Sequence, residues 1–382
     1  MSEPTQPDPT PTPGPQSVLV TGFPTFVARR MTAQIVAADP EARARLLCRD
    51  VEAEAARAFV ATLPDGHRDR VEVILGAVDH MDLGLSGDDY RELTTDITAV
   101  HHMAGISDVG ADPSRLRQVR LDGTHNVIEL AMACKRLRRL CHWSTAQVAG
   151  KRKGVVLEEE LDEGQSFHNA FEETQCTAEK LARAAQTRLP VTVLRPGIIV
   201  GDSQTGEIDR FDGPYYLMVL IVRNATQVHL PLPGRGTAPL HLVPVDYVVA
   251  AAHALCLDER AAGKTFHLVD PNPLPARRVY ELVAEHAHTA LPRGSIPTAW
   301  ARTLLRTPGI ERLVRAPLAF MDSFDHQVFY NSRNTQSLLT ERGIHCPPVD
   351  SYVGNLLGYL REASAKRRQA TQPLVEETDP FD

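Results

Sequence analysis

The chain has 382 residues, 43% of them hydrophobic and 23% charged, which is enough apolar sequence for one large core or two modest ones. A net charge of −7 sets aside a nucleic-acid-binding surface, since such surfaces show as basic domains. The longest apolar run, YYLMVLIV at 215–222, is too short to span a bilayer and follows Gly213-Pro214, so it reads as a buried helix.

Residues 1–16 are rich in Pro and Thr and nearly free of large apolar side chains, so they are expected to form a disordered tail. They show no basic region leading into an apolar core; no secretory signal is read there, and the cytoplasm is the expected compartment. SVLVTG at 17–22 predicts a strand ending at a glycine, followed by a helix over 26–38. Further strands are expected at 44–50, 71–78, 97–105, 140–150 and 191–201, with a long helix over 114–135. Strands alternating with helices predict parallel pairing, hence an α/β protein with a Rossmann-type doubly wound sheet over 17–200. From 201 to 362 the pattern loosens into Pro-rich segments and separate helices at 276–288 and 352–363. This predicts a smaller, discontinuous C-terminal substrate lobe, with part of it, about 240–270, returning to the main sheet. Residues 363–382 read as a second tail. Cys48, Cys134, Cys141, Cys176, Cys256 and Cys346 contain no C-x-x-C pair, so reduced buried thiols are expected, with neither a zinc site nor a disulfide framework.

The first turn, Thr21-Gly22-Phe23-Pro24-Thr25-Phe26-Val27-Ala28, follows the logic of a dinucleotide turn in part. Gly22 suits the tight bend and Ala28 the close packing of helix on strand. Thr25 puts a β-branched side chain where close phosphate approach or a positive φ is expected. Seven segments then occur in one order: TGFPTFVARRM, LGLSGDDYREL, STAQVAG, NAFEETQCTAEKLAR, LRPGIIVGDSQTG, FDGPYYLM and HLVPVDYVV. Together they resemble the extended short-chain dehydrogenases/reductases, in the fatty-acyl-CoA and thioester reductase branch, over residues 17–360. The resemblance implies binding of NADP or NAD and reduction of an acyl thioester or other carbonyl ligand.

By the same resemblance Thr145, with Ser144 as its neighbour, matches the hydroxyl that polarises the carbonyl. Gly22, Thr25, Ala28, Arg49, Ala104 and Pro196 fall at cofactor-binding positions, with Arg49 placed to meet a ribose 2′-phosphate or, equally, to be a solvated surface arginine. Gly197, Tyr215 and Tyr216 fall on the substrate side, where packing roles explain them too. His101 and His102 invite a metal, but adjacent strand residues face opposite ways, so no metal is expected. The family's catalytic tyrosine and lysine, four residues apart, are here Phe171 and Gln175. Phe171 has no proton to give and Gln175 no charge to lend. Arg120 stands where the family's helix asparagine does, and Ala77 follows Gly76 where an acidic residue usually meets the adenine. Three functions compete on this basis: a ligand-binding homologue without the usual reduction, an enzyme that either uses a substitute acid (Thr145, Ser144, His168, Glu172 or Glu173) or catalyses a non-redox step needing no hydride, and a homo-oligomer or partner subunit of an active homologue.

Overall fold

The computed structural model describes residues 16–105, 112–223, 228–297 and 324–371; the expected N-terminal tail, apart from Gln16, lies outside them. Among the described residues seven strands form one parallel sheet: β1 (Ser17–Thr21), β2 (Arg43–Cys48), β3 (Val71–Leu75), β4 (Ala99–His102), β5 (Arg139–Trp143), β6 (Val191–Pro196) and β7 (Thr265–Leu268). Their order is β7-β6-β5-β4-β1-β2-β3. The chain therefore winds one way from β1 to β3 and the other way from β4, and a crevice opens at the reversal, beyond the ends of β1 and β4. The central strands are buried throughout, as expected where helices cover both faces, while the edge strand β3 stays half-exposed.

Helix α1 (Phe26–Ala38) follows β1 and buries Ala28, Met31, Thr32, Ile35 and Val36, the i, i+3, i+4 stripe that a helix packed on a sheet requires. The single helix expected over 114–135 is instead three pieces: Pro113–Arg117, a π-helical turn at Gln118–Asp122, and α2 (Gly123–Ala133). The π turn carries Arg120 inward, where it is 4% exposed; such turns frequently mark functional positions. Helix α3 (Ala170–Ala184) carries Phe171 and Gln175 and starts at Asn169, whose side chain accepts the Glu172 N–H as an N-cap.

The run expected as one strand over 191–201 divides at Gly197. Its second part, Ile198–Val200, pairs with Leu242–Pro244 and leads into the second lobe. That lobe has its own core, in which α4 (Tyr215–Val222) buries Tyr215, Met218 and Ile221. Helix α5 (Val245–Leu257) returns to the main sheet and packs beside α1, and β7 pairs with β6. Helices α6 (Ala276–Ala287) and α7 (Val349–Thr371) close the lobe. Helix α7 continues through Thr371, past residue 363 where a tail was expected, and the remainder of that expected tail lies outside the described residues.

Candidate functional site

The crevice at the β1/β4 reversal is lined by Gly22, Thr25, Arg49, Ala77, Asp79 and Ala104 among others, around a volume of about 130 Å³. Its floor is fixed by Thr21, whose Oγ accepts the N–H groups of Met103 and Ala104, both at 3.1 Å, and lies 3.0 Å from His102 Nδ1. With the hydroxyl donating to Nδ1, His102 carries its proton on Nε2, 3.1 Å from Thr124 Oγ. The ring is therefore neutral, and burial pushes its pKa down to about 3. Gly22 makes the bend at φ +79°, and a Cβ there would stand 2.6 Å from the Met103 carbonyl oxygen, so only glycine fits. Thr25, expected to need positive φ, has φ −58° with its side chain turned to solvent. The left-handed step is made entirely at Gly22, so a β-branched residue costs the turn nothing. Pro24 does remove one backbone donor from it.

At the outer end of the crevice Arg49 is exposed and bonds Glu52 at 2.6 Å. Ala77 leaves no carboxylate at its own position, but Asp79, two residues on, lines the crevice and bonds Arg115 at 2.6 Å. The resemblance pointed to one cation here; the fold assembles two arginines and two carboxylates. Asp79 and Arg115 were not legible in the sequence because they come from separate connections and meet only above the sheet.

The inner end is made of buried side chains that already have partners. Arg120 stacks on the Phe171 ring, its guanidinium carbon 3.9 Å from the centroid, and its Nη1 donates to the Phe171 carbonyl at 2.9 Å. Its Nε also lies 3.6 Å from where a Gly105 Cβ would be, which places the cation between the crevice and α3. Burial pushes the Arg120 pKa down to about 10, so it keeps its charge at neutral pH. Gln175 turns its amide onto the Trp143 carbonyl at 2.9 Å, the last residue of β5. Ser144 donates to Glu179 at 2.6 Å. Glu179 is fully buried and also receives Arg195 (2.8 Å) and Arg183 (2.8 Å). Thr145 remains half-buried, its Oγ accepting the Gln147 N–H at 3.3 Å.

On the lobe side Pro196 ends β6, and Gly197 is required by a close approach, since a Cβ would stand 2.6 Å from the His241 carbonyl oxygen. Tyr215, expected on the substrate side, is 1% exposed, and its hydroxyl accepts the Gly201 N–H at 2.8 Å, so it is a core residue of the lobe; Tyr216 is half-buried. Tyr330, His241 and His267, which the sequence did not single out, stand here instead. Tyr330 packs its ring 4.7 Å from His241 and 5.4 Å from His267, and burial raises its phenol well above the usual range. His168, a candidate substitute acid, has its Nδ1 3.0 Å from the Glu172 carboxylate, with the His326 ring edge-on at 5.2 Å.

The NAD-binding family described as Male sterility protein matches residues 20–252. A linear gramicidin synthase chain of Brevibacillus parabrevis is 24% identical over 319 residues, 78% of this chain but 6% of the relative. Aldehyde reductase lnaA of Aspergillus flavus is 26% identical over 334 residues, 80% of this chain and 31% of the relative. The chain thus spans less than a third of the length of these relatives. Among solved structures, the terminal R domain from the myxalamid PKS-NRPS biosynthetic pathway superposes with a TM-score of 0.78 at 24% identity, over 91% of both chains, and so shares the fold. Among the described residues no helix is long and apolar enough to cross a membrane. With more than half of its length matched, from the end of β1 into α5, the chain belongs to the NAD-binding Male sterility protein family, within the extended short-chain dehydrogenases/reductases.

Proposed function

We propose that this protein binds a dinucleotide, NADP or NAD, and a small acyl or carbonyl ligand without performing the tyrosine–lysine reduction typical of its family. The observation that carries this reading is the Arg120–Phe171–Gln175 arrangement. An apolar ring stands at the acid position under a stacked cation, and the amide at the lysine position donates to a backbone carbonyl. Loss of a general acid typically removes about 10²–10⁴-fold in rate. The bend at Gly22 and the arginines at the outer end support retained dinucleotide binding.

Calorimetric titration of the wild type and of a Phe171→Tyr/Gln175→Lys double variant with NADPH and NADP⁺, beside NADPH consumption with an aldehyde and an acyl thioester, tests the reading. Binding by both proteins with turnover only in the double variant is expected. Robust wild-type turnover that Thr145→Ala abolishes would overturn it.

A second reading, an enzyme with a substitute acid, rests on two groups: the His168 imidazole bonded to Glu172, and the Tyr330 phenol packed against His241 and His267. Under that reading wild-type turnover exists and falls in Tyr330→Phe or His168→Gln.

A further inference from the structure

On the face of the sheet covered by α5, away from the cleft, three nucleophilic side chains converge. His101 and Cys141 are direct register partners on β4 and β5, so their side chains leave the same face of the sheet side by side. Cys256 comes down onto them from the last turn of α5. The imidazole nitrogen and the two sulfurs all lie within 4.8 Å of one another. His101 and Cys141 are buried and Cys256 is 8% exposed, with the half-buried His253 one turn before it on the same helix face. Nothing in the cleft uses these groups.

Two sulfurs and an imidazole at this spacing would suit zinc by their chemistry, but Trp143 decides against it. Its indole N–H, which can only donate, lies 3.2 Å from His101 Nδ1. Nδ1 is therefore the accepting nitrogen, and the proton sits on Nε2, the nitrogen left for the sulfurs. A metal at Nε2 would need that lone pair and would drive the proton to Nδ1, against the indole N–H. What the arrangement does provide is a second thiol and an imidazole N–H beside Cys256, the more exposed of the two sulfurs. Their proximity draws the Cys256 thiol down while burial raises Cys141.

We propose that Cys256 and Cys141 form an oxidisable dithiol, in which the Cys256 thiolate attacks a hydroperoxide and Cys141 resolves the product to a disulfide joining α5 to β5. In the first step the Cys256 thiolate attacks the peroxide. An S–O bond forms, the O–O bond breaks, and the departing hydroxide leaves as water with the proton that the Cys256 thiol gave up on forming the thiolate. In the second step the Cys141 sulfur attacks the sulfenic sulfur; the S–S bond forms, the S–O bond breaks, and hydroxide leaves as water with the Cys141 proton. Two thiols and one hydrogen peroxide give one disulfide and two waters, the two electrons passing from sulfur to peroxide. Because Trp143 bonds His101 through its indole and accepts Gln175 through its carbonyl, its fluorescence reports the event from beside the cluster.

The test is hydrogen peroxide treatment of the full native chain, alkylation of the remaining thiols, and peptide mass mapping beside a metal assay of the untreated protein. The expected result is one Cys141–Cys256 linked peptide two hydrogens lighter than the reduced pair. Cys48, Cys134, Cys176 and Cys346 should be alkylated, and the change in tryptophan emission should be reversed by dithiothreitol. Cys141→Ser should stop at a Cys256 sulfenic acid that dimedone captures, and Cys256→Ser should abolish both products. Because the wild-type map stands without the variants, a variant that fails to fold does not remove the test. Disulfides formed mainly by other cysteines, both thiols staying reduced at peroxide levels that oxidise Cys134 or Cys346, or stoichiometric zinc in the purified protein would each overturn the proposal.

Discussion

At the outer end of the cleft the walls are turns of backbone and partly exposed ion pairs, whereas at the inner end they are buried side chains that partner one another. The two ends tolerate change differently for that reason. Thr25 replaces an expected glycine at the outer end and simply faces solvent, because the strained step belongs to Gly22. At the inner end a buried polar group left alone would cost about 1–3 kcal/mol, so each change there comes with a partner. Gln175 finds the Trp143 carbonyl and Arg120 finds the Phe171 carbonyl and ring, beside the unaltered pair of Ser144 and Glu179. An altered inner end whose replaced groups are paired in this way is a coherent piece of structure, although His142 Nε2 beside it is buried without a hydrogen-bond partner among the described residues, and this pairing is why we read a changed role.

Three substitutions can break or sharpen that contrast. The largest effect is expected at the floor of the inner end, where Glu179→Gln leaves Arg195 and Arg183 without their shared anion. Such a loss typically costs about 3–5 kcal/mol, to be read from urea unfolding. Its pH signature follows from the same carboxyl. Burial alone would raise it, but Arg195 and Arg183 outweigh burial and hold it below its ordinary value. The stability it contributes is therefore present above the unfolded carboxylate pKa and lost as pH falls through the depressed folded value.

Next comes the outer end. Gly22→Ala must adopt φ +79° and meet the Met103 carbonyl at 2.6 Å, and is expected to lose stability by about 2–3 kcal/mol together with dinucleotide affinity. Unfolding and calorimetry on the same preparation separate the two losses. A variant that folds normally and still binds NADPH would show that the outer end does not depend on this bend.

The smallest effect at neutral pH is expected between the two ends. His142 is buried beside β4, its pKa pushed down from 6.5 to about 4 by burial, with Arg120 adding to the shift and Glu179 opposing it. Because the folded value is depressed, its contribution is complete above the unfolded pKa and declines as pH falls through 6.5 towards 4. His142→Gln should flatten the stability–pH slope in that window by up to about 1.4 kcal/mol per pH unit, one proton's worth, in unfolding curves taken across it. An unchanged slope would mean that His142 is not held neutral by the packing around Arg120.

The alternation of β-branched runs and amphipathic helices was enough to give the parallel sheet and the doubly wound class, because strand and helix periods are local properties of the chain. That Phe171 carries no phenol and Gln175 no charge was equally plain, since a side chain's chemistry does not depend on its neighbours. What those positions do instead was decided only by the tertiary structure. Arg120 reaches Phe171 across 51 residues of sequence and Ser144 reaches Glu179 across 35, through a π turn and strand ends whose register local pattern does not encode. Tyr215 shows the same limit, since its sequence neighbourhood fits a ligand wall as well as a core, and only the packing of α4 places it in the core. So does the cluster of His101, Cys141 and Cys256, scattered in sequence with no recognisable spacing and brought together by sheet register and the approach of one helix. Local pattern determines which elements form and which chemistry each residue carries; which side chains share a proton, a cation or a cavity is fixed by contacts between residues far apart in the chain, and those exist only once the sheet and its helices have packed.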